Sequence, residues 1–187
     1  YNKTLSGKQD SFPYIFSTSA AYGRGISTAL FSPMQDSRIH MNYGVVSTDF
    51  RYITNSIRNE GGTTETFPSI DWQIIQLNGF PPVPCAMYYV GYGYYTRLLY
   101  AKVPEFSFGF VWGSGDRFLF RYEGRYARNL RLFTSVNRFE TSVDAEYCLV
   151  KAKNFRLNAK LSTRLTTYSH SSLTEFVTGG LALNFFR

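Results

Sequence analysis

Arg117-Phe118-Leu119-Phe120-Arg121-Tyr122-Glu123-Gly124-Arg125-Tyr126 alternates residue by residue: the odd positions are Arg117, Leu119, Arg121, Glu123 and Arg125, and the even ones, around Gly124, are aromatic. Successive side chains of an extended strand point to opposite faces, so this stretch is a strand with one charged and one aromatic face. The pattern recurs twice downstream. From Phe139 to Leu149 the polar parity, Glu140, Ser142, Asp144, Glu146 and Cys148, is acidic, and it stands against Phe139, Thr141, Val143, Ala145, Tyr147 and Leu149. From Phe155 to Tyr168 the polar parity turns basic again, with Arg156, Asn158, Lys160, Ser162, Arg164 and Thr166 set against Phe155, Leu157, Ala159, Leu161, Thr163 and Leu165. If sequential strands are antiparallel neighbours, an acidic strand lies between two basic ones and cross-strand ion pairs cover the polar face.

Two environments accept such strands. A soluble barrel or sandwich turns the Phe and Tyr face inward and the Arg and Glu face to water, whereas a transmembrane barrel does the reverse. Three features favour the membrane. The strands have the length of about 9–11 residues that spans a bilayer when tilted, aromatic residues make up 18% of the chain, and aromatics stand near the ends of the apolar faces, Phe118 with Tyr126 and Phe139 with Tyr147. The expected fold is therefore all-β, a transmembrane antiparallel up-and-down β-barrel of about 8–10 strands, with residues 1–187 forming a single domain. Its expected lumen charge network is Arg117, Arg121, Glu123, Arg125, Glu140, Asp144, Glu146, Arg156, Lys160 and Arg164. A soluble secreted β-barrel or sandwich binding domain is the other reading.

Composition bounds the partners. No run of about 18 apolar residues exists, which excludes a transmembrane helix, and the mean hydropathy of -0.21 averages two dissimilar faces. The chain starts at Tyr1 without Met or apolar leader, from which an exported protein with its signal removed is expected. The net charge of +7 and pI near 9.4 raise nucleic acid as a partner. The cations, however, fall on strand faces rather than in a basic stretch interleaved with stacking aromatics, so no nucleic acid is expected. Cys85 and Cys148 are too few and too far apart for a metal cluster or a CxxC pair, and an oxidising compartment would permit a disulfide between them. With no Gly-rich phosphate loop, metal-ligand spacing or nucleotide motif, neither a cofactor nor a metal is expected. His40, beside Arg38 and Asn42 on a lumen parity, reads as a hydrogen-bonded interior group.

Further strands are expected at Phe176 to Arg187, Phe106 to Trp112, Tyr88 to Tyr95, Ile70 to Leu77 and Arg38 to Val46, and a hairpin over Phe12 to Phe31 turning at Gly23-Arg24-Gly25. Opposite Phe106, Phe108, Phe110 and Trp112, the small parity Ser107, Gly109 and Gly113 leaves room inside a narrow barrel. The last strand, with Val177, Gly179, Leu181, Leu183 and Phe185 on one face, resembles the terminal strand of Gram-negative outer-membrane β-barrel proteins, although the chain ends in Arg187 instead of an aromatic residue. That resemblance implies an outer-membrane location with a periplasmic C-terminus. Lys151 to Asn154, Gly113 to Asp116, Asn78 to Cys85 and Pro33 to Ser37 then become periplasmic turns. Ser47 to Pro68, Thr96 to Val103, Arg128 to Arg138 and Ser169 to Glu175 become extracellular loops.

The one constellation of catalytic residue types is Ser169-His170-Ser171-Ser172-Leu173-Thr174-Glu175. A His two residues before a Ser in the last hairpin resembles the outer-membrane lipid A 3-O-deacylases, and the resemblance implies Ser172 as nucleophile, His170 as base and Glu175 as a candidate orienting acid. The family has Asn after the serine where this chain has Leu173, and an acid on the last strand where this chain offers Asn184. Without an orienting acid the imidazole tautomer is not fixed. The expected function is accordingly a non-porin outer-membrane barrel with a charged, largely filled lumen, acting as a scaffold, anchor or subunit of an envelope complex, and the alternative is a lipid A deacylase with Ser172 and His170 at the outer leaflet. Its partners would be outer-membrane lipid, lipopolysaccharide and other envelope proteins; Arg128, Arg131 and Arg138 read as a solvated basic rim, with contact to lipopolysaccharide phosphates as the alternative.

Overall fold

A computed structural model describes residues 15–26, 33–58, 64–83, 85–97, 101–114, 117–131, 135–169 and 174–186. Ten strands, β1 (Phe16–Gly25), β2 (Pro33–Asn42), β3 (Val46–Arg58), β4 (Thr64–Gly79), β5 (Ala86–Arg97), β6 (Ala101–Ser114), β7 (Phe118–Arg131), β8 (Ser135–Lys151), β9 (Phe155–Tyr168) and β10 (Thr174–Phe185), form one sheet. Each pairs antiparallel with its neighbours in sequence, and β1 pairs with β10 along its whole length, from Phe16 opposite Phe185 to Gly25 opposite Phe176, which closes the barrel.

The charged parity faces inward. Arg121, Glu123, Arg125, Glu140, Asp144, Glu146, Lys160 and Arg164 are buried, while Phe118, Phe120, Tyr122, Tyr126, Phe139, Tyr147 and Leu161 are exposed on the outside. This is the inverse of a soluble barrel, and it overturns the soluble reading: an exposed aromatic exterior around a charged core needs an apolar solvent. Near the rim that carries Ile15 and Phe186, aromatic rings of adjacent strands touch on the outside. Phe118 lies 5.1 Å from Tyr147 and Phe16 lies 5.7 Å from Phe185. Toward the opposite rim Tyr92 lies 5.3 Å from Phe106. Such belts sit where an amphipathic ring meets both acyl chain and headgroup.

Three expectations for the N-terminal third are corrected. Gly23-Arg24-Gly25 is no turn, because β1 runs straight through it. Gly23 is needed for close approach, since a Cβ there would lie 1.9 Å from the Val177 carbonyl oxygen of β10. Pro33 to Ser37 is not a turn either but the first half of β2, so that strand runs toward the terminal rim, opposite to the expected direction. Finally, the expected long loop Ser47 to Pro68 is mostly strand. Ser47 to Arg58 belong to β3 and Thr64 to Pro68 to β4, with Pro68 opposite Thr54. The turn that replaces Pro33 to Ser37 is Tyr43-Gly44-Val45, where Tyr43 N–H donates to the Val46 carbonyl over 2.8 Å and Gly44 takes a φ of 83° that L side chains rarely adopt.

Four register shifts interrupt the ladders. The one between Gln73 and Ile75 leaves Ile74 and Ile75 both outside and brings Gln73 and Gln76 both inside, so β4 changes parity halfway along. On the β4 to β7 side, aromatic rings lie across glycines directly opposite in register. Tyr88 covers Gly79, Tyr89 covers Gly109 and Phe108 covers Gly124. Each ring supplies the packing its glycine partner lacks.

Candidate functional site: the charged lumen

Room for the lumen's long side chains comes from small inward ones, which are densest on the β1 and β10 wall. Ser17, Ser19 and Ala21 of β1 and Ala182 of β10 are buried facing inward, so arginines from the other walls can extend across the narrow interior. Eight carboxylates are buried there, Asp36, Asp49, Asp71, Glu105, Glu123, Glu140, Asp144 and Glu146. So are eight cations, Arg38, Arg51, Arg121, Arg125, Arg138, Arg156, Lys160 and Arg164. These groups balance, and the whole net charge of +7 therefore belongs to residues outside this set.

The pairs cross the lumen as well as following the ladder. Arg125 of β7 stands opposite Glu140 in register, yet its guanidinium lies 2.6 Å from Asp49 on β3, with Glu123 at 3.1 Å, Asp71 at 3.4 Å and Glu105 at 3.5 Å. Arg51 of β3 binds Asp36 beside it at 2.7 Å and reaches Glu140 across the barrel at 2.8 Å. Arg38 of β2 donates to Asp49 at 2.6 Å and reaches Glu123 at 2.9 Å and Asp144 at 3.9 Å. Lys160 lies 3.1 Å from Asp144 and donates to Ser19 Oγ over 3.3 Å. Arg164 contacts Asp36 and lies 3.5 Å from Glu140. Toward the terminal rim Glu146 accepts from Asn158 at 2.8 Å and Asn184 at 2.9 Å, and Asn184 accepts from Ser17 at 2.6 Å. Bonds between charged partners buried away from bulk solvent are strong, and a network with most of its members paired holds its walls in one arrangement.

Nine of the ten residues expected in the network are buried in it. Arg117 is the tenth. It is exposed just before β7, where its carbonyl accepts the Cys148 N–H, and it borders a shallow hollow with Arg156, Asn158, Asn184 and Phe186. Arg156 stacks its guanidinium 4.8 Å from the Phe186 ring centre. Arg138, expected in an extracellular loop, is an interior residue of β8: it lies 4.1 Å over the Tyr95 ring and binds Glu105 at 2.7 Å, Asp71 at 3.4 Å and Glu140. The partners that sequence reasoning left out, Asp36, Asp49, Arg51, Asp71 and Glu105, come from β2, β3, β4 and β6. Asp49 and Arg51 alternate with Thr48, Phe50 and Tyr52, which is the signal that would have found them. His40 is buried with Nδ1 3.5 Å from Asp49.

His170 and Ser172 lie outside the described residues. Glu175 is in β10 opposite Leu165, and its carbonyl accepts the Ile26 N–H. Both cysteines are free thiols. Cys85 hydrogen-bonds through its carbonyl to Gly113 of β6, and Cys148 is on β8, so β6 and β7 separate them by about 14 Å along the wall, beyond disulfide reach.

Apolar outside, charged inside and closed on itself, the fold is that of a Gram-negative outer-membrane β-barrel. No family model and no curated protein matches the sequence. Among solved structures, it is similar to the loop L8 deletion mutant of OmpT, an outer-membrane protein of Vibrio cholerae, at 13% identity and a TM-score of 0.42, covering 92% of this chain and 59% of that one. It is similar to the KdgM porin at 10% identity and a TM-score of 0.45, covering 91% and 99%. The likeness to OccK1 (OpdK) of Pseudomonas aeruginosa has 11% identity and a TM-score of 0.41, covering 91% and 56%.

Proposed function

We propose that this chain is a closed-lumen outer-membrane barrel that acts as an anchor, scaffold or subunit of an envelope complex, and that it does not act as a pore. One observation carries the reading. At mid-barrel Asp49, Asp71, Gln73, Gln76 and Glu105 have 0% exposure, although they line the interior of a ten-stranded barrel. A water-filled channel along these walls would leave its lining polar atoms in contact with solvent; here those atoms contact one another. Gln73 donates to Glu105 at 2.6 Å and accepts from Ser107 at 2.9 Å, while Ser47 donates to Gln76 at 3.0 Å. Barrels of this size have an interior that side chains can fill, and this one has long cations and carboxylates to fill it.

What then remains for function is the exterior and the rims. Planar-bilayer recording of the reconstituted chain tests the reading. The expected result is no steady conductance above the bare membrane, with the protein fractionating in the outer membrane as part of a stable complex. A stepwise, salt-proportional conductance per inserted barrel would refute the closed lumen.

A further inference from the structure

Because the lumen charges balance, the cations outside it need another account, and β6 and β7 present two of them on the outer surface. Lys102 and Arg128 are exposed and share the outward parity of Phe106 and Tyr126. Glu105 opposite Ala127 is the last pair of the β6–β7 ladder; Arg128 follows it directly, where β7 shifts register against β8, and Lys102 stands three residues before Glu105. Three residues of strand span about 10 Å, which leaves the long Lys102 and Arg128 side chains within joint reach of one phosphate or two adjacent ones. On β5, β6 and β7 the acids among the described residues are Glu105 and Glu123, and both are turned into the lumen. Neither Lys102 nor Arg128 has an intramolecular counterion among the described residues.

Depth decides what such a pair meets. Both cations lie toward the rim opposite Ile15 and Phe186, beyond the belt marked by Tyr92, Phe106 and Tyr126. Arg128 is two residues past Tyr126 and Lys102 four past Phe106, or roughly 7 and 13 Å along tilted strands, which is headgroup depth when the belt marks the edge of the hydrocarbon. Arg supplies a flat fork that matches phosphate oxygens in pairs, and Lys adds a compact charge at the same anion.

We propose that Lys102 and Arg128 form a binding site for the phosphate groups of a phosphorylated glycolipid headgroup in the outer leaflet. Of the three rim arginines considered from the sequence, Arg138 takes no part, since it is committed to the lumen. It rests on the reading of the chain as a membrane-spanning barrel.

The test places the full chain in nanodiscs of phosphatidylcholine doped with a bisphosphorylated glucosamine-based glycolipid or with its enzymatically dephosphorylated form. Lipid retained on the released barrel is counted by native mass spectrometry. The wild type should retain the phosphorylated form selectively. K102Q/R128Q should lower that retention about thirtyfold, the effect of two interfacial cations, while K151Q/K153Q, which removes equal charge at the terminal rim, should leave it unchanged. Equal losses in the two variants, or no loss in K102Q/R128Q, would overturn the site. Displacement of the lipid by millimolar inorganic phosphate would show a free-anion site and overturn the headgroup assignment. Failure of the wild type to enter the bilayer would overturn the membrane reading and the site with it.

Discussion

Arg125→Met removes one cation from the best-connected node of the lumen. The Arg125 guanidinium lies 2.6 Å from Asp49, 3.1 Å from Glu123, 3.4 Å from Asp71 and 3.5 Å from Glu105, and methionine keeps most of the apolar stem while deleting the charge. Breaking a buried ion pair by deleting one partner costs about 3–5 kcal/mol. The lower end applies, because every carboxylate concerned keeps a second cation. Arg38 still holds Asp49 at 2.6 Å and Glu123 at 2.9 Å, and Arg138 still holds Glu105 at 2.7 Å and Asp71 at 3.4 Å. About 3 kcal/mol is therefore expected. Asp49→Asn in the same chain restores the charge balance, so the double variant should be at least about 1 kcal/mol less destabilised than the sum of the singles. The assay is reversible urea unfolding in phosphatidylcholine vesicles followed by the fluorescence of Trp72 and Trp112, which face outward at 48% and 41% exposure. A single-variant loss under about 1 kcal/mol, or strict additivity in the double, would show that the network is not electrostatically closed.

Arg placed at Phe120, Val143 or Leu161, on the outward parity, should cost about 2–4 kcal/mol of bilayer folding near the midplane, and a negligible cost in the same vesicles would mean that face does not meet lipid. Gly180→Ala should cost about 1–3 kcal/mol, because its Cβ would lie 2.0 Å from the Ala20 carbonyl oxygen and 2.5 Å from Ala21 Cα in the closing seam. Gly179→Ala, whose nearest neighbour is the Lys160 carbonyl at 4.0 Å, should be tolerated, and equal effects of the two in urea titrations would refute the close seam. Thiol titration of the unfolded chain should give the same count with and without reductant, since Cys85 and Cys148 are free, and a rise on reduction would reveal a disulfide.

The legible half of this barrel is the half whose strands keep one parity from end to end. β5, β6, β9 and, as far as Ala127, β7 carry Tyr, Phe or Leu on the outside at most alternate positions, and most of their inward residues are charged, hydroxylic or small, so direction, face and pairing could be read from spacing alone. β3 and β4 resisted for local reasons. The register shifts at Ser47/Asp49 and Gln73/Ile75 break the alternation, Ile74 and Ile75 present an uninterrupted apolar pair, and Pro68 stands inside β4 where a proline reads as a loop residue. β2 was misread because Pro33 opens a strand, a position proline tolerates as well as it does a turn. Within the lumen, spacing assigned each charged residue to a face but not to a partner. A side chain as long as Arg125 or Arg51 chooses among all walls of a closed cylinder, and which walls face each other depends on strand number and stagger, quantities that no single strand encodes.

That choice of partner couples the network to closure. The bonds Arg125 to Asp49, Arg38 to Glu123, Arg51 to Glu140 and Arg164 to Asp36 join residues 76, 85, 89 and 128 positions apart, and each ties β2 or β3 to β7, β8 or β9. While the sheet is open, β10 and β1 are unjoined and these walls do not face each other, leaving the charges against lipid or water. An unpaired charge at bilayer depth is costly, and an unpaired strand edge there costs a row of backbone groups as well. Both penalties are relieved by the same event, the docking of β1 on β10 through the close approach at Gly23 and Gly180. Partly closed forms thus carry both penalties, and the wall and its charged filling form as one cooperative unit. A lumen built this way fills and closes together, which is the behaviour the proposed closed anchor requires.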